Sequence, residues 1–344
     1  MKSLFIRHAH ASTTRKMLSG AVLLLLASPV IAADQTTPEK NVNEKIVDTM
    51  TVLAKGPYTG FRANHAKGIV VTGTFTPSAA APTLSKAAHF QSAVPVTVRF
   101  SDPTGVPTLP DASPNASPHG IAIRFQLPDG GITDIVSISF NGFPVANPED
   151  FLALLTAVSS TKPDSPKPTP VEQFLATHPA AKRFVIAPKP APVSFGTLSF
   201  YGVNAFKFTN AKGESQYARY RIEPLAGNQS LNEEQLAKAA PNYLMDELPT
   251  RLEKAPVTFR ISAQLAAPGD VTDDGTVIWP DNRPQIELGV LSLTTMAADS
   301  LAIQKTLAFN PLLLVDGIAP SADPILLARP LAYSVSVRRR LSGN

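Results

Sequence analysis

The chain of 344 residues contains no cysteine, so it can form neither a disulfide nor a Cys-X-X-Cys-His attachment to a cofactor. If exported, it must be stable through its core alone, which a domain this large can manage. After the first residues no apolar run approaches the ~20 residues that a membrane-spanning helix needs. Basic residues are not clustered with aromatics. The densest run is Arg338-Arg339-Arg340 and the net charge is a mild +4, so nucleic-acid binding is not indicated. Internal repeats are absent, as are low-complexity segments other than proline-rich ones. What is abundant is proline, at 33 residues, and this argues against a long helical bundle because each proline removes a backbone donor. A hydrophobic content of 44% against 17% charged residues leaves ample material for a core.

The start of the chain has its own pattern. Lys2, Arg7, Arg15 and Lys16 precede the apolar run Ala21-Val22-Leu23-Leu24-Leu25-Leu26-Ala27, and Ala32-Ala33 follow before Asp34. Positive, apolar and small segments in that order make an export signal. The expectation is a signal peptide over 1–33, a periplasmic product without stable membrane association, and a single domain over 34–344.

Weak helical periodicity over 43–53 ends at Gly56-Pro57. Residues 69–75, 94–100, 121–125 and 132–140 are rich in Val, Ile, Thr and Phe and are separated by Pro, Gly and Asp, which predicts strands. Asn147-Pro148-Glu149-Asp150 opens a helix through Leu155, with an N-cap, a first-turn proline and early acids. Residues 161–170 hold Pro163, Pro166, Pro168 and Pro170 and predict a loop. A second β-rich section over 197–224 carries a hairpin at Ala211-Lys212-Gly213. Ser230-Leu231-Asn232-Glu233 reads as a capping box that opens a helix. Strands are expected at 257–265 and 285–293, and Asp323-Pro324 opens the last helix. The sum is α+β, with antiparallel strands and segregated helices, a pattern suited to a closed barrel.

Three separated segments then carry a resemblance. Arg62-Ala63-Asn64-His65-Ala66-Lys67-Gly68 resembles the distal-histidine segment of haem catalases, and Val98-Arg99-Phe100-Ser101 and Gly120-Ile121-Ala122-Ile123-Arg124-Phe125 resemble the two strands after it. Near the end, Phe309-Asn310-Pro311 and Val315-Asp316-Gly317-Ile318-Ala319-Pro320-Ser321 lead into Arg329-X-X-X-Tyr333, with Arg340-Leu341 following. Tyr201 to Lys207, Trp279-Pro280 and Ile286 to Gly289 fill the interval in family order. The resemblance spans about residues 55–342 and implies a catalase-type antiparallel β-barrel with surrounding helices and a buried pocket for haem b, held non-covalently because cysteine is absent. The chain is similar to the short, exported members described as catalase-related peroxidases.

The resemblance also assigns roles. Tyr333 becomes the iron ligand. A phenol titrates only near pH 10, and Arg329, four residues earlier on the same helical face, can favour its anionic form. Pro330, between them, is a departure that predicts a kink. His65 becomes the acid–base that cleaves the peroxide bond, giving a ferryl iron, with Ser101 holding the imidazole. For Ser101 the alternative is a strand-end serine. Arg62, Arg99 and Arg340 stand where the family binds the haem propionates. For Arg340 the alternative is a basic patch shared with Arg338 and Arg339. Asn141 matches the distal asparagine only if the strand after Asp134-Ile135-Val136 bulges or shifts, and a glycine-associated turn would welcome it equally. Asn64 and His119 also depart from the family pattern.

The function implied is reduction of hydrogen peroxide or organic hydroperoxides with a small-molecule electron donor. The alternatives are true catalase activity, hydroperoxide rearrangement and a non-enzymic periplasmic haem carrier. Larger catalases assemble partly through segments that the matched region lacks, so a homo-oligomer is left open.

Overall fold

The computed structural model describes residues 39–343, and the expected export signal lies outside the described residues. Where β-branched and aromatic residues concentrate, ten strands form among the described residues. They are β1 (Gly68–Pro77), β2 (Val94–Ser101), β3 (Gly120–Gln126), β4 (Ile132–Ile138), β5 (Phe200–Tyr201), β6 (Phe206–Thr209), β7 (Ser215–Pro224), β8 (Val257–Leu265), β9 (Gln285–Met296) and β10 (Ile318–Pro320). Neighbours pair in the order β10-β6-β7-β5-β4-β3-β2-β1-β9-β8, and β7 also pairs with β8. That last pairing closes an eight-stranded antiparallel barrel and leaves β6 and β10 as an extension. Closure removes the exposed edges that an open sheet would present.

Period-two alternation sets the two faces. Val96, Val98 and Phe100 of β2 and Ile121, Ile123 and Phe125 of β3 join Phe195, Phe200 and Phe259 in the barrel core. Phe100 stacks on Phe195 with centroids 5.1 Å apart, and Phe75 meets Phe125 edge-on at 5.3 Å. Residues paired across strands share a face. The outer face therefore carries the rows Ser101–Gly120–Ile138 and Arg99–Ala122–Val136.

Helices surround the barrel. In chain order they are α1 (Val42–Leu53), α2 (Ala81–Leu84), α3 (Pro148–Ser160), α4 (Pro170–Thr177), α5 (Pro179–Ile186), α6 (Glu233–Ala237), α7 (Tyr243–Lys254), α8 (Ser300–Thr306) and α9 (Pro324–Ser342). Of these, α2 and α7 send Leu84, Leu244 and Leu248 into the barrel's core cluster. Contacts of α1 with α3 and α9, and of α8 with β1, close the space above the sheet. From Lys40 onward the chain forms one unit. No helix of the described residues is long and apolar enough to cross a membrane.

Several expectations change in detail. β4 ends at Ile138, and Ser139 and Phe140 lie in the following bend. The capping box near 230 is made by Asn232 and Gln235, not by Ser230 and Glu233. Ser230 still bridges Pro192 and the Leu231 N–H still donates to the Ala191 carbonyl at 2.9 Å, so the chain is extended there and cannot yet begin a helix. The hairpin between β6 and β7 forms where expected, with Gly213 at φ +82° in its turn. The helix that opens at Asp323 continues through Pro330 to Ser342.

Candidate active site

The last helix supplies one wall. Arg329, Tyr333, Ser336 and Arg340 recur at helical spacing and line a cavity of about 260 Å³ against the outer sheet face. The start of α9 is fixed by Asp323, whose carboxylate accepts from the N–H groups of Ile325 at 2.9 Å and Leu326 at 3.2 Å. Its second oxygen accepts from the Asn204 amide at 2.7 Å, and the Asn204 carbonyl oxygen accepts from Arg329 Nη1 at 2.8 Å. Arg329 then donates through Nε and Nη2 to the Tyr333 hydroxyl at 3.2 and 2.9 Å. The chain Asp323–Asn204–Arg329–Tyr333 thus holds a cation on a phenol oxygen that faces the cavity. Burial raises the Asp323 carboxyl, although the Asn204 amide and the helix N–H groups oppose the shift.

The sheet side supplies the facing group. His65 lies in the loop before β1 with φ +55°, a conformation that non-glycine residues rarely adopt and that recurs at functional sites. Three contacts hold it there. Its carbonyl accepts from Arg99 Nη2 at 2.8 Å. The Asn64 side-chain oxygen accepts from the Thr104 N–H at 2.7 Å. Lys67 is buried, paired with Asp111 and donating to the Leu109 and Pro241 carbonyls at 2.8 and 3.0 Å. The imidazole Nδ1 meets Ser101 Oγ at 3.0 Å, which leaves Nε2 for the cavity. Gly120 makes the approach feasible, because a Cβ there would lie 2.9 Å from both His65 Cε1 and Ser101 Oγ. Burial, followed by repulsion from Arg99, Arg62, Arg329 and His119, pushes the imidazole down to about 3, so His65 is neutral near pH 7.

Arg62, Arg99 and Arg340 converge at one end of the cavity. Arg62 donates to the carbonyls of Gln304 at 3.1 Å and Leu307 at 2.5 Å. Arg340 donates to those of Lys305 at 2.8 Å and Leu307 at 3.1 Å. Arg99 donates to the Gln304 side chain at 2.8 Å. Among the described residues none of the three pairs with a carboxylate, and burial lowers all three from the ordinary arginine range, with mutual repulsion adding to it for Arg62 and Arg99. An uncompensated cluster of buried guanidinium groups is a receptor for an anion.

Seven of the eight residues singled out from the sequence therefore line this one cavity: Arg62, His65, Arg99, Ser101, Arg329, Tyr333 and Arg340. Asn141 does not. β4 pairs with β3 in unbroken register from Ile132 to Ile138, without a bulge. The outer row beside Ser101 and Gly120 ends in Ile138, an apolar side chain that lines the cavity. His119 stands behind this row, with Nδ1 2.9 Å from Asp102. Sequence reasoning assigned no role to Asn204, Gln304 or Gly120. Asn204 lay within a recognised segment, but nothing local showed that it would reach Arg329.

An imidazole, a phenol–guanidinium pair and three arginines bordering one cavity on a barrel's outer face make up the arrangement that the resemblance to haem catalases implies. Residues 59–344 match the family model for catalase, and the chain belongs to the catalase family. A catalase-related peroxidase of Synechococcus elongatus is 32% identical over 207 residues, 58% of this chain and 60% of that protein. One from Mycolicibacterium paratuberculosis is 34% identical over 215 residues, 62% and 67% of the two chains. The chain thus spans about three-fifths of the first of these relatives. The fold agrees with a fungal catalase at TM-score 0.73 and 23% identity, over 86% of this chain and 62% of that one. Catalase A from Saccharomyces cerevisiae gives TM-score 0.73 at 21% identity, over 86% and 64%. Catalase family members bind haem, and the residues present fit that group, with Tyr333 as an oxygen ligand and three arginines free of acids for its propionates.

Proposed function

We propose that the protein reduces hydrogen peroxide and organic hydroperoxides, using non-covalently held haem b and electrons from a small organic donor. The observation that carries this reading is the single cavity in which neutral His65 faces the Arg329–Tyr333 pair beside three unpaired arginines. Tyr333 would hold the iron, and Arg62, Arg99 and Arg340 the propionates. Haem, when bound, supplies the redox-active iron at which the peroxide O–O bond is broken. His65 does the proton work. Its Nε2 accepts the hydroperoxide proton and returns it to the departing oxygen, while Ser101 holds the ring's orientation through Nδ1. Two hydrogen bonds from Arg329 favour the anionic form of Tyr333. Per turnover, a hydroperoxide and two donor molecules, each losing one electron and one proton, give an alcohol and water.

Ile138 and Val136 on the sheet, with Ile46, Val47 and Met50 of α1, give the cavity an apolar stretch. Such a lining suits an alkyl hydroperoxide, and beside Ser101 and Gly120 the sheet presents apolar Ile138 rather than the amide of Asn141. This favours peroxidase over catalase chemistry. The deciding experiment is steady-state turnover of purified haem-loaded protein, comparing donor oxidation with an organic hydroperoxide against oxygen evolution from hydrogen peroxide. Oxygen evolution that outpaces donor oxidation would overturn the reading. The positive, apolar and small segments before Asp34 support export to the periplasm. N-terminal sequencing that finds Met1 on cytoplasmic protein would contradict it.

A further inference from the structure

A second cavity, of about 500 Å³, shares Arg62, Ala63 and Ser336 with the first. The shared wall is joined by the Ala63 N–H donating to Ser336 Oγ at 3.3 Å. The helices divide their faces between the two spaces. On α9, Arg329, Tyr333 and Arg340 line the first, whereas Arg338, Arg339 and Ser342 line the second. On α1, Ile46, Val47 and Met50 line the first, and Asp48 and Thr51 the second.

The chemistry of the second cavity is unlike that of the first. Lys40, Arg62, Arg338 and Arg339 line it, and Asp48 is the only carboxylate among its lining residues. That carboxylate is already shared, 2.7 Å from Lys40 and 2.6 Å from Arg339. Arg338 is exposed and has no partner among the described residues. Tyr58 and Phe61 also line the cavity, and both keep more than a third of their surface accessible. An excess of cations beside two accessible rings recognises a flat aromatic anion.

We propose that this cavity binds the electron donor, a phenol that carries a carboxylate. The carboxylate meets Arg338 and the ring lies with Tyr58 and Phe61. This rests on the peroxidase reading above. It gives the donor a place separate from the peroxide, across a wall formed by the three shared residues. Each donor molecule gives up one electron and its phenolic proton, and the peroxide takes up two of each to become alcohol and water.

The probe is ferulate, with guaiacol as an uncharged phenol, on haem-loaded protein that lacks the signal segment. Titration calorimetry should show saturable one-to-one binding of ferulate that weakens with salt. Arg338→Glu should raise its Kd and its KM about tenfold, since reversing the charge replaces an attraction by a repulsion. The KM for guaiacol should change less than twofold. Phe61→Ser should weaken both phenols. Ferulate binding that is absent, or unchanged in both variants, overturns the proposal. The two readings fail differently. Ferulate bound here but never oxidised by peroxide would leave the site and sink the peroxidase, whereas oxidation unaffected by both variants would leave the peroxidase and sink the site.

Discussion

Gly120→Ala tests how tightly the distal histidine is held. A Cβ at this position would stand 2.9 Å from His65 Cε1, 2.9 Å from Ser101 Oγ and 3.0 Å from His65 Nδ1. Carbon atoms settle at about 3.5–4.0 Å, so the ring and the hydroxyl must each retreat by roughly 0.6–1 Å. Neither has room to do so together. Ser101 is anchored by the pairing of β2 with both β1 and β3, and His65 by its carbonyl on Arg99. The Nδ1–Oγ bond is therefore the contact that breaks. Stability should fall by about 1–3 kcal/mol from overpacking, with about 1 kcal/mol more from the lost hydrogen bond. The rate should fall further, because a misplacement of about 1 Å costs on the order of 10²-fold in reactivity. Rapid mixing of the haem-loaded variant with cumene hydroperoxide measures that rate, while haem content and the tyrosinate spectrum report an intact proximal side. Ser101→Ala removes one of the two clashing groups, so the double variant should react faster than Gly120→Ala alone. Gly120→Ala reacting within threefold of the parent would refute the argument, as would a double variant slower than either single one.

Tyr333→Phe should abolish the tyrosinate spectrum and release haem, read by absorbance and by haem transfer to apomyoglobin. Asn204→Ala should shift the same spectrum less, because Arg329 loses the oxygen that positions it. It should also cost about 1–3 kcal/mol in denaturant unfolding by leaving the buried Asp323 carboxylate short of a partner. His89, buried among Phe75, Phe90 and Phe125, is pushed down to about 3 by burial, as His65 is. A histidine whose folded pKa lies below its unfolded 6.5 destabilises the fold as pH drops from 6.5 toward 3, since the unfolded chain takes the proton first. Between pH 7 and 4 this amounts to about 3 kcal/mol for His89. His89→Phe should remove that part of the acid sensitivity in urea unfolding, and an unchanged pH slope would contradict the assignment.

The sequence makes some parts of this arrangement visible and hides others for physical reasons. Strands rich in Val, Ile and Phe between Pro and Gly showed themselves because a half-buried sheet needs period-two alternation. The contact of Arg329 with Tyr333 was legible because a four-residue spacing on one helix puts the two together, whereas the role expected of Tyr333 came from the resemblance to catalases. That Asn141 lies outside the residues lining the cavity could not be read locally, because its place depends on strand register, a property of pairing with β3. Asn204 was hidden because its bonds reach Asp323 and Arg329, more than a hundred residues away. α7 escaped because Pro249 lies inside it, and α5 and α8 because helices of eight and seven residues offer little periodicity.

In the proposed function His65 moves the proton while Tyr333 and the arginines hold the haem. Its most direct test is rapid mixing of haem-loaded His65→Ala with an organic hydroperoxide, beside the parent protein at equal haem content. The account predicts retained haem, an unaltered tyrosinate spectrum and a peroxide reaction slower by about 10²- to 10⁴-fold, the usual cost of losing a positioned acid–base. A variant that binds haem normally and consumes the hydroperoxide at the parent rate would make His65 a structural histidine and contradict the account.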